Sequence, residues 1–218
     1  MSRVARVGVL GSGTVGRTIG TKLVELGHEV CIGSRAAGGE RAVTWARQSG
    51  ERAREGAFAD AAAFGELLFN CTAGVHSLDA LEAAGAENLA GKVLIDVANP
   101  LDFSRGMPPQ LAIANDDSLG ERIQRAFPAA GVVKALNTVT AAVMIDPASV
   151  PGEHALFICG DDIDSKREAS ELLRSFGWRE IIDLGGISAA RAMEMYLPLW
   201  LRLMEALGTT RFNIAIAR

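Results

Sequence analysis

The chain has 218 residues, which suffices for one domain or for two lobes of unequal size, and we expect two lobes. Its net charge of −4, with acidic and basic residues interspersed, gives no reason to expect a nucleic-acid or membrane partner. The three cysteines lie far apart in apolar runs and no export signal precedes the first strand, so we expect free thiols in a cytoplasmic protein rather than a disulfide framework or a metal site.

The opening segment predicts a strand, a glycine turn and a helix. Residues 4–10 form a short β-rich apolar run that passes directly into the turn, and apolar residues at helical spacing follow. In such a unit the first glycine allows the tight turn, the second lets a pyrophosphate approach the backbone, and the third lets the helix pack on the strand. The helix N-terminus then attracts the phosphates. The predicted dinucleotide-binding residues are Gly11, Ser12, Gly13, Thr14, Val15 and Gly16.

The end of the second predicted strand, residues 29–33, selects the dinucleotide. An NAD site usually carries Asp or Glu there, whereas this chain has Ser34 and Arg35. A carboxylate would repel a phosphate, but a guanidinium and a hydroxyl bind one through charge-assisted hydrogen bonds. NADP is therefore the predicted cofactor. Arg41 is a candidate for a second contact and is equally typical of a solvated surface arginine.

Short polar residues follow three of the later predicted strands. After a helix that ends near Gly50, a third strand at 53–58 and a brief helix capped by Asp60, these apolar strands lie at 67–72, 92–99 and 132–136. Ligands bind outside the carboxyl ends of strands in an open parallel sheet, so we expect the polar residues to lie beside the cofactor, although each asparagine alone is equally typical of a turn. The candidates are Asn70, Cys71, Thr72, Asn99, Asn137 and Thr138.

Turn-forming residues from 146 to 152 mark a predicted lobe boundary, which divides the chain into residues 1–145 and 146–218. The aspartates at 161, 162 and 164 precede a predicted helix, where acidic residues favour the positive end of the dipole, so no metal site is predicted. The elements predicted for the second lobe are a strand at 155–159, helices at 165–176 and 188–207, and strands at 180–184 and 212–216.

Nearly end to end, the chain resembles the NADPH-dependent reductase family of the deazaflavin coenzyme F-420, and it is closest to a bacterial NADP oxidoreductase branch. The resemblance is carried by the glycine turn, by the strand end at 32–35, by 133–139, and in the second lobe by 159–162, Lys166, 183–191 and 197–199. It implies an α/β fold, with a Rossmann-type doubly wound, mostly parallel sheet that binds NADP and a smaller C-terminal α/β lobe that contributes to the acceptor cleft and to a homodimer.

The resemblance also implies the chemistry. Hydride would pass between NADPH and a deazaflavin or flavin-like acceptor stacked in the cleft, which requires alignment and exclusion of water more than an acid or base, so no catalytic residue is predicted. The resemblance implies that the strand-end residues named above form the nicotinamide pocket. Archaeal members of the family carry a histidine at the position of Asn137, which leaves the acceptor open. The implied acceptor-binding residues are Asn137, Ser188, Leu197 and Pro198.

Two other functions stay open from the sequence. An NADP-dependent imine or carbonyl reductase would need a proton donor, and no clear donor is present; His76 is the one histidine expected near the cofactor. A non-catalytic NADP-binding redox sensor would need only the glycine turn and Arg35.

Overall fold

The computed structural model describes residues 5–217, so Val4, the start of the predicted first strand, lies outside the described residues. Eight of the ten strands form one sheet, which orders them as the third, second, first, fourth, fifth, eighth, ninth and tenth, and the other two form a small antiparallel ribbon. In chain order the strands are β1 (Arg6–Leu10), β2 (Glu29–Ser34), β3 (Ala53–Ala57), β4 (Leu67–Asn70), β5 (Val93–Asp96), β6 (Leu101–Asp102), β7 (Gln110–Leu111), β8 (Gly131–Ala135), β9 (Ala155–Cys159) and β10 (Glu180–Asp183).

Parallel pairing brings the strand ends to one edge of the sheet. The register pairs Leu10 of β1 with Asn70 of β4, Asn70 with Asp96 of β5, and Asp96 with Lys134 of β8. The order of the strands reverses between β1 and β4, and this is the point where open α/β sheets bind their ligands. The predicted α/β fold with a doubly wound, mostly parallel sheet is confirmed.

Helices cover both faces of the sheet and produce two cores. One core contains residues of α1, α2, α7 and α8, and the other contains residues of α3, α4, α5, α6 and α9. Within residues 5–217 no helix has the length and the apolar character needed to cross a membrane. The helices are α1 (Thr14–Glu25), α2 (Glu40–Ser49), α3 (Phe58–Phe64), α4 (Ser77–Ala84), α5 (Ala86–Leu89), α6 (Leu119–Ala126), α7 (Ala141–Ile145), α8 (Ile163–Ser175), α9 (Ala190–Met195) and α10 (Leu197–Leu207).

Three local predictions need correction. Asp60 is not the N-cap of α3, which is Ala57, but the third residue of the helix, and its carboxylate caps the helix start by accepting a hydrogen bond from the backbone N–H of Ala57 at 2.8 Å. The long helix predicted over 188–207 is divided at Tyr196, because Pro198 has no N–H to donate and its ring clashes with the carbonyl four residues earlier. The strand predicted at 212–216 is wrong: that segment has no regular secondary structure, although the Ala155 N–H donates to the Ile214 carbonyl at 3.0 Å.

The segment after residue 146 adds two strands to the same sheet. β9 pairs antiparallel with β8, and β10 pairs parallel with β9. The division of the chain into two lobes at residue 146 stays a prediction. The small elements that sequence patterns missed are α4, α5, α7 and the β6–β7 ribbon, all too short for a clear apolar period.

Candidate functional site

Two adjacent cavities lie at the carboxyl edge of the sheet and share residues 71–73 as a common wall. The first, the glycine-turn cavity, encloses about 580 Å³ and is lined by Gly11, Ser12, Gly13, Ser34, Arg35, Phe58, Cys71, Thr72, Ala73, His76, Asp79, Ala80 and Ala83. The second, the apolar cavity, encloses about 410 Å³ and is lined by Val15, Cys71, Thr72, Ala73, Gly74, Val97, Ala98, Asn99, Leu101, Phe103, Asn137, Val139, Thr140, Ala141, Met144, Leu197 and Trp200.

The three glycines of the turn have different roles. Gly11 has a φ of +121°, and a Cβ there would press on the Cys71 carbonyl. A Cβ at Gly16 would overlap the Gly11 carbonyl oxygen, so this glycine lets α1 pack against the turn. A Cβ at Gly13 would meet nothing within 4 Å, because this residue faces open space. Gly13 also caps α1 without a side chain, which leaves the first N–H groups of the helix available to an anion.

Arg35 and Ser34 line the glycine-turn cavity, as the sequence predicts, whereas Arg41 does not. The Arg35 guanidinium is exposed and has no carboxylate partner in the described range. The Ser34 hydroxyl donates to the Ala36 carbonyl at 2.8 Å, and its oxygen can still accept. Arg41 lines a separate groove between α1 and α2, together with Thr14.

Asn70 lies behind the cavity wall rather than in it. Its side chain is buried, and its amide nitrogen donates to Ser77 at 3.1 Å and to Asp96 at 2.8 Å. Its amide oxygen accepts from the Thr72 hydroxyl at 2.7 Å and from the Thr72 N–H at 3.3 Å. Since the amide is engaged on both sides, this placement favours a role in orienting Thr72, which lines both cavities.

The last two predicted asparagines bind each other. The Asn99 amide nitrogen donates to the Asn137 carbonyl at 2.8 Å, and the Asn137 amide nitrogen donates to the Asn99 amide oxygen at 2.9 Å. Both line the apolar cavity, as does Leu197. Thr138, Ser188 and Pro198 are absent from the lining of either cavity, and Thr138 is buried.

Sequence reasoning missed a buried ion triad beneath these residues. The Lys134 ammonium lies 2.8 Å from Asp96 Oδ2 and 2.8 Å from Glu194 Oε1, and none of the three side chains is more than 1% exposed. Burial alone would lower the pKa of Lys134, but the two carboxylates outweigh burial and raise the pKa above its usual value. A lysine inside an apolar strand is the signal that could have predicted the triad, because a buried ammonium needs a carboxylate partner.

The triad connects the cavity wall to the C-terminal part of the chain. The Glu194 carboxylate also accepts from the backbone N–H groups of Leu119 at 2.8 Å and Gly120 at 3.1 Å, in the first turn of α6. On the other side, Asp96 holds Asn70 and, through it, Thr72. The triad thus joins β5, β8, α6 and α9 below the polar groups of the apolar cavity.

The residues lining the apolar cavity include no Asp, Glu, Lys, Arg or His. Burial raises the pKa of the Cys71 thiol, so that thiol stays protonated near neutral pH. His76 lines the glycine-turn cavity instead. The apolar cavity can therefore hold and align a flat ring, but its own side chains offer no general acid or base.

Within residues 5–217 no group of three or more His, Cys, Asp or Glu side chains could hold a metal ion. The three aspartates at the start of α8, two before the helix and one in its first turn, each have a partner within the protein. Asp162 caps α8 by accepting from the Ser165 N–H at 2.7 Å, and Asp161 accepts from the Ile187 N–H at 2.8 Å. Asp164 pairs with Arg167 at 2.8 Å.

Known proteins resemble this chain over most of its length. A family model described as NADP oxidoreductase, coenzyme F-420-dependent, matches residues 6–100. The F-420-dependent NADP reductase of Methanothermobacter marburgensis is 32% identical over 209 residues, which are 91% of this chain and 92% of that protein. Metalloreductase STEAP3 of Rattus norvegicus is 33% identical over 205 residues, but this chain spans only 38% of its length.

Among solved structures, a protein of Arthrobacter sp. FB24 has a TM-score of 0.93 and 51% identity, with 98% of this chain and 100% of that chain covered. It is described as a candidate F-420-dependent NADP-reductase. The similarity to it and to the Methanothermobacter reductase extends across both the glycine-turn half and the C-terminal half of the sheet, so the family predicted from the sequence is confirmed. The chain belongs to the coenzyme F-420-dependent NADP oxidoreductase family.

Proposed function

We propose that this chain is an NADPH-dependent oxidoreductase that transfers hydride between NADPH and a deazaflavin or flavin-like acceptor. The observation that carries the proposal is the pair of cavities with a common wall at residues 71–73. One cavity contains an anion-binding turn and a free guanidinium, and the other is apolar and lacks acid or base side chains. Such a slot suits transfer between two flat rings, which needs alignment and no proton donor.

The residues present fit NADP. The uncapped first turn of α1 and the open space at Gly13 suit a pyrophosphate, and Ser34 and Arg35 suit the additional phosphate monoester. When bound, the nicotinamide supplies the hydride. Thr72, Asn99 and Asn137 are placed to orient polar groups at the ring end, and the apolar lining excludes water. Cys71 contributes to the common wall.

The C-terminal segment takes part in the proposed cleft. Leu197 and Trp200 line the apolar cavity together with residues from before position 146, which supports a second domain at 146–218 that completes the acceptor site. We further propose a homodimer, which is supported by the 57% exposure of both Leu199 and Leu207 on α10. We also propose a cytoplasmic location, which is supported by three cysteines that form no disulfide. Light scattering after gel filtration measures the subunit number.

The activity is tested by mixing the protein and NADPH with a deazaflavin, with flavin mononucleotide or with a cyclic imine, while the absorbance of the reduced nicotinamide is followed. Oxidation with either flat-ring acceptor supports the proposal. Oxidation with the imine alone would replace it by an imine reductase. NADPH binding without turnover on any acceptor would indicate a redox sensor.

Replacing Arg35 by Asp should weaken NADPH binding by about 100-fold and NADH binding by less than about threefold, because a charge-assisted pair to the phosphate is lost and a repulsion is added. Dissociation constants from nicotinamide fluorescence measure both effects. Arg47→Asp, the same charge change on the exposed end of α2, is the control and should change neither value. If Arg35→Asp weakens the binding of NADPH and of NADH equally, Arg35 does not bind the phosphate. The variant Arg41→Asp, measured in the same way, reports whether Arg41 contributes to phosphate binding.

A further inference from the structure

The turn between β1 and α1 contains a backbone donor without a partner. The N–H of Gly13 donates to no acceptor within residues 5–217. Neighbouring side chains do not fix the direction of this N–H, because nothing lies within 4 Å of a Cβ built on Gly13. Glycine also reorients its peptide more easily than other residues. The direction of the N–H therefore depends on what holds the carbonyl of the same peptide, which belongs to Ser12.

Arg17 holds that carbonyl. Its Nη1 donates to the Ser12 carbonyl oxygen at 2.8 Å, and its backbone N–H donates to the Gly13 carbonyl at 3.1 Å. The peptide between Ser12 and Gly13 is trans, so its N–H is directed away from its C=O. Ser12 and Gly13 line the glycine-turn cavity, whereas Arg17 lines the groove between α1 and α2. The carbonyl thus faces the groove, and the free N–H is directed toward the cavity.

The helix itself gains nothing from an arginine at position 17. This residue is the fourth of α1, where a positive charge opposes the positive end of the helix dipole. In the part of the chain that the structure describes, the guanidinium bonds only to the Ser12 carbonyl and has no carboxylate partner. Glu40 lines the same groove but makes no ion pair with it. The arginine therefore stabilises the turn rather than the helix.

We propose that Arg17 is a positioning residue for the pyrophosphate of the dinucleotide. It holds the Ser12 carbonyl away from the glycine-turn cavity and thereby keeps the Gly13 N–H directed toward the anion. Without the guanidinium the peptide can reverse, and the partial negative charge of its oxygen would then face the phosphates. This inference rests on the proposed function, because it requires a dinucleotide in the glycine-turn cavity. Arg17 acts on a group that NADPH and NADH share, whereas Arg35 acts on the phosphate monoester that only NADPH carries.

The test compares three ligands in the variant Arg17→Met, which keeps an unbranched side chain and removes every donor. We expect the dissociation constants of NADPH and NADH, from nicotinamide fluorescence, to rise by the same factor of about ten, because both lose the Gly13 donor. Adenosine 2′-monophosphate carries the monoester but no pyrophosphate, so calorimetry should show unchanged binding.

Thermal unfolding of the same variant separates positioning from support of the fold. The midpoint should fall by no more than about 2 °C, because the loss of one half-exposed hydrogen bond is offset by the removal of a charge that opposes the dipole. Lys22→Met is the matched control, since it removes a positive charge from the last turn of the same helix. It should change none of the three dissociation constants. Arg17→Lys keeps the charge and a donor, and should bind NADPH within about threefold of the unaltered protein.

Unchanged NADPH binding in Arg17→Met would overturn the inference. An equal loss for adenosine 2′-monophosphate, or a greater loss for NADPH than for NADH, would also overturn it, because the effect would then not act at the pyrophosphate. Failure of the variant to fold, or a midpoint lowered by more than about 5 °C, would assign Arg17 to the support of the fold instead. If the unaltered protein binds neither dinucleotide, the proposed function itself fails, so the two failures are distinguishable.

Discussion

Replacing Lys134 by methionine should lower the free energy of unfolding by about 3–5 kcal/mol, the largest stability loss that we expect from a single substitution at this site. The reason is the burial of Asp96 and Glu194: without the ammonium, two carboxylates less than 2% exposed lose the counter-charge that they share. Methionine has a similar length and fills the space, so the loss measures the charge rather than a cavity. Urea unfolding followed by tryptophan fluorescence gives the value.

A second lysine provides the control. Lys166 pairs with Asp183 at 2.7 Å, but the Asp183 side chain is 47% exposed, so Lys166→Met should cost less than about 1 kcal/mol. The triple variant Lys134→Met, Asp96→Asn, Glu194→Gln removes all three charges and should recover part of the loss. A cost for Lys134→Met no greater than that for Lys166→Met would show that the triad does not hold the fold together.

The fold was predictable where local patterns determine it. The apolar runs at 67–72, 92–99 and 132–136 predict parallel strands with polar ends, and the structure places those ends at one edge in register. The division at Tyr196 was also available from Pro198, through a rule that acts within one helical turn. By contrast, the strand predicted at 212–216 failed because a ladder needs a partner strand, and sequence periodicity does not show whether that partner pairs.

In the candidate site, too, the features that depend on local sequence were predictable and those that depend on distant residues were not. The glycine turn and Arg35 follow rules of local chain geometry and charge, and the structure places both in one cavity. Whether an asparagine at a strand end faces a ligand depends on distant residues. Asn70 turns inward because Ser77 and Asp96 accept hydrogen bonds from its amide nitrogen. The pairing of Lys134 with Glu194, 60 positions away, likewise needed the tertiary structure.

Replacing Gly13 by Val should weaken NADP(H) binding by about 100-fold or more and leave the protein folded, the largest effect on binding that we expect. The backbone at Gly13 has a φ of −71°, which any residue adopts, and nothing lies within 4 Å of a Cβ there, so the folded chain accepts valine. The branched side chain then occupies the space through which the pyrophosphate reaches the helix N-terminus. Fluorescence titration with NADPH and thermal unfolding measure the two quantities.

Gly16→Val separates this effect from damage to the fold. The same valine at position 16 would overlap the Gly11 carbonyl oxygen, so it should destabilise the protein as well as abolish binding, because α1 could no longer pack against the turn. A phosphate-binding turn requires that Gly13→Val lose NADPH binding but keep its stability, and that Gly16→Val lose both. If Gly13→Val binds NADPH as tightly as the unaltered protein, the pyrophosphate does not approach the backbone at this turn, and the nucleotide must lie elsewhere on the sheet edge.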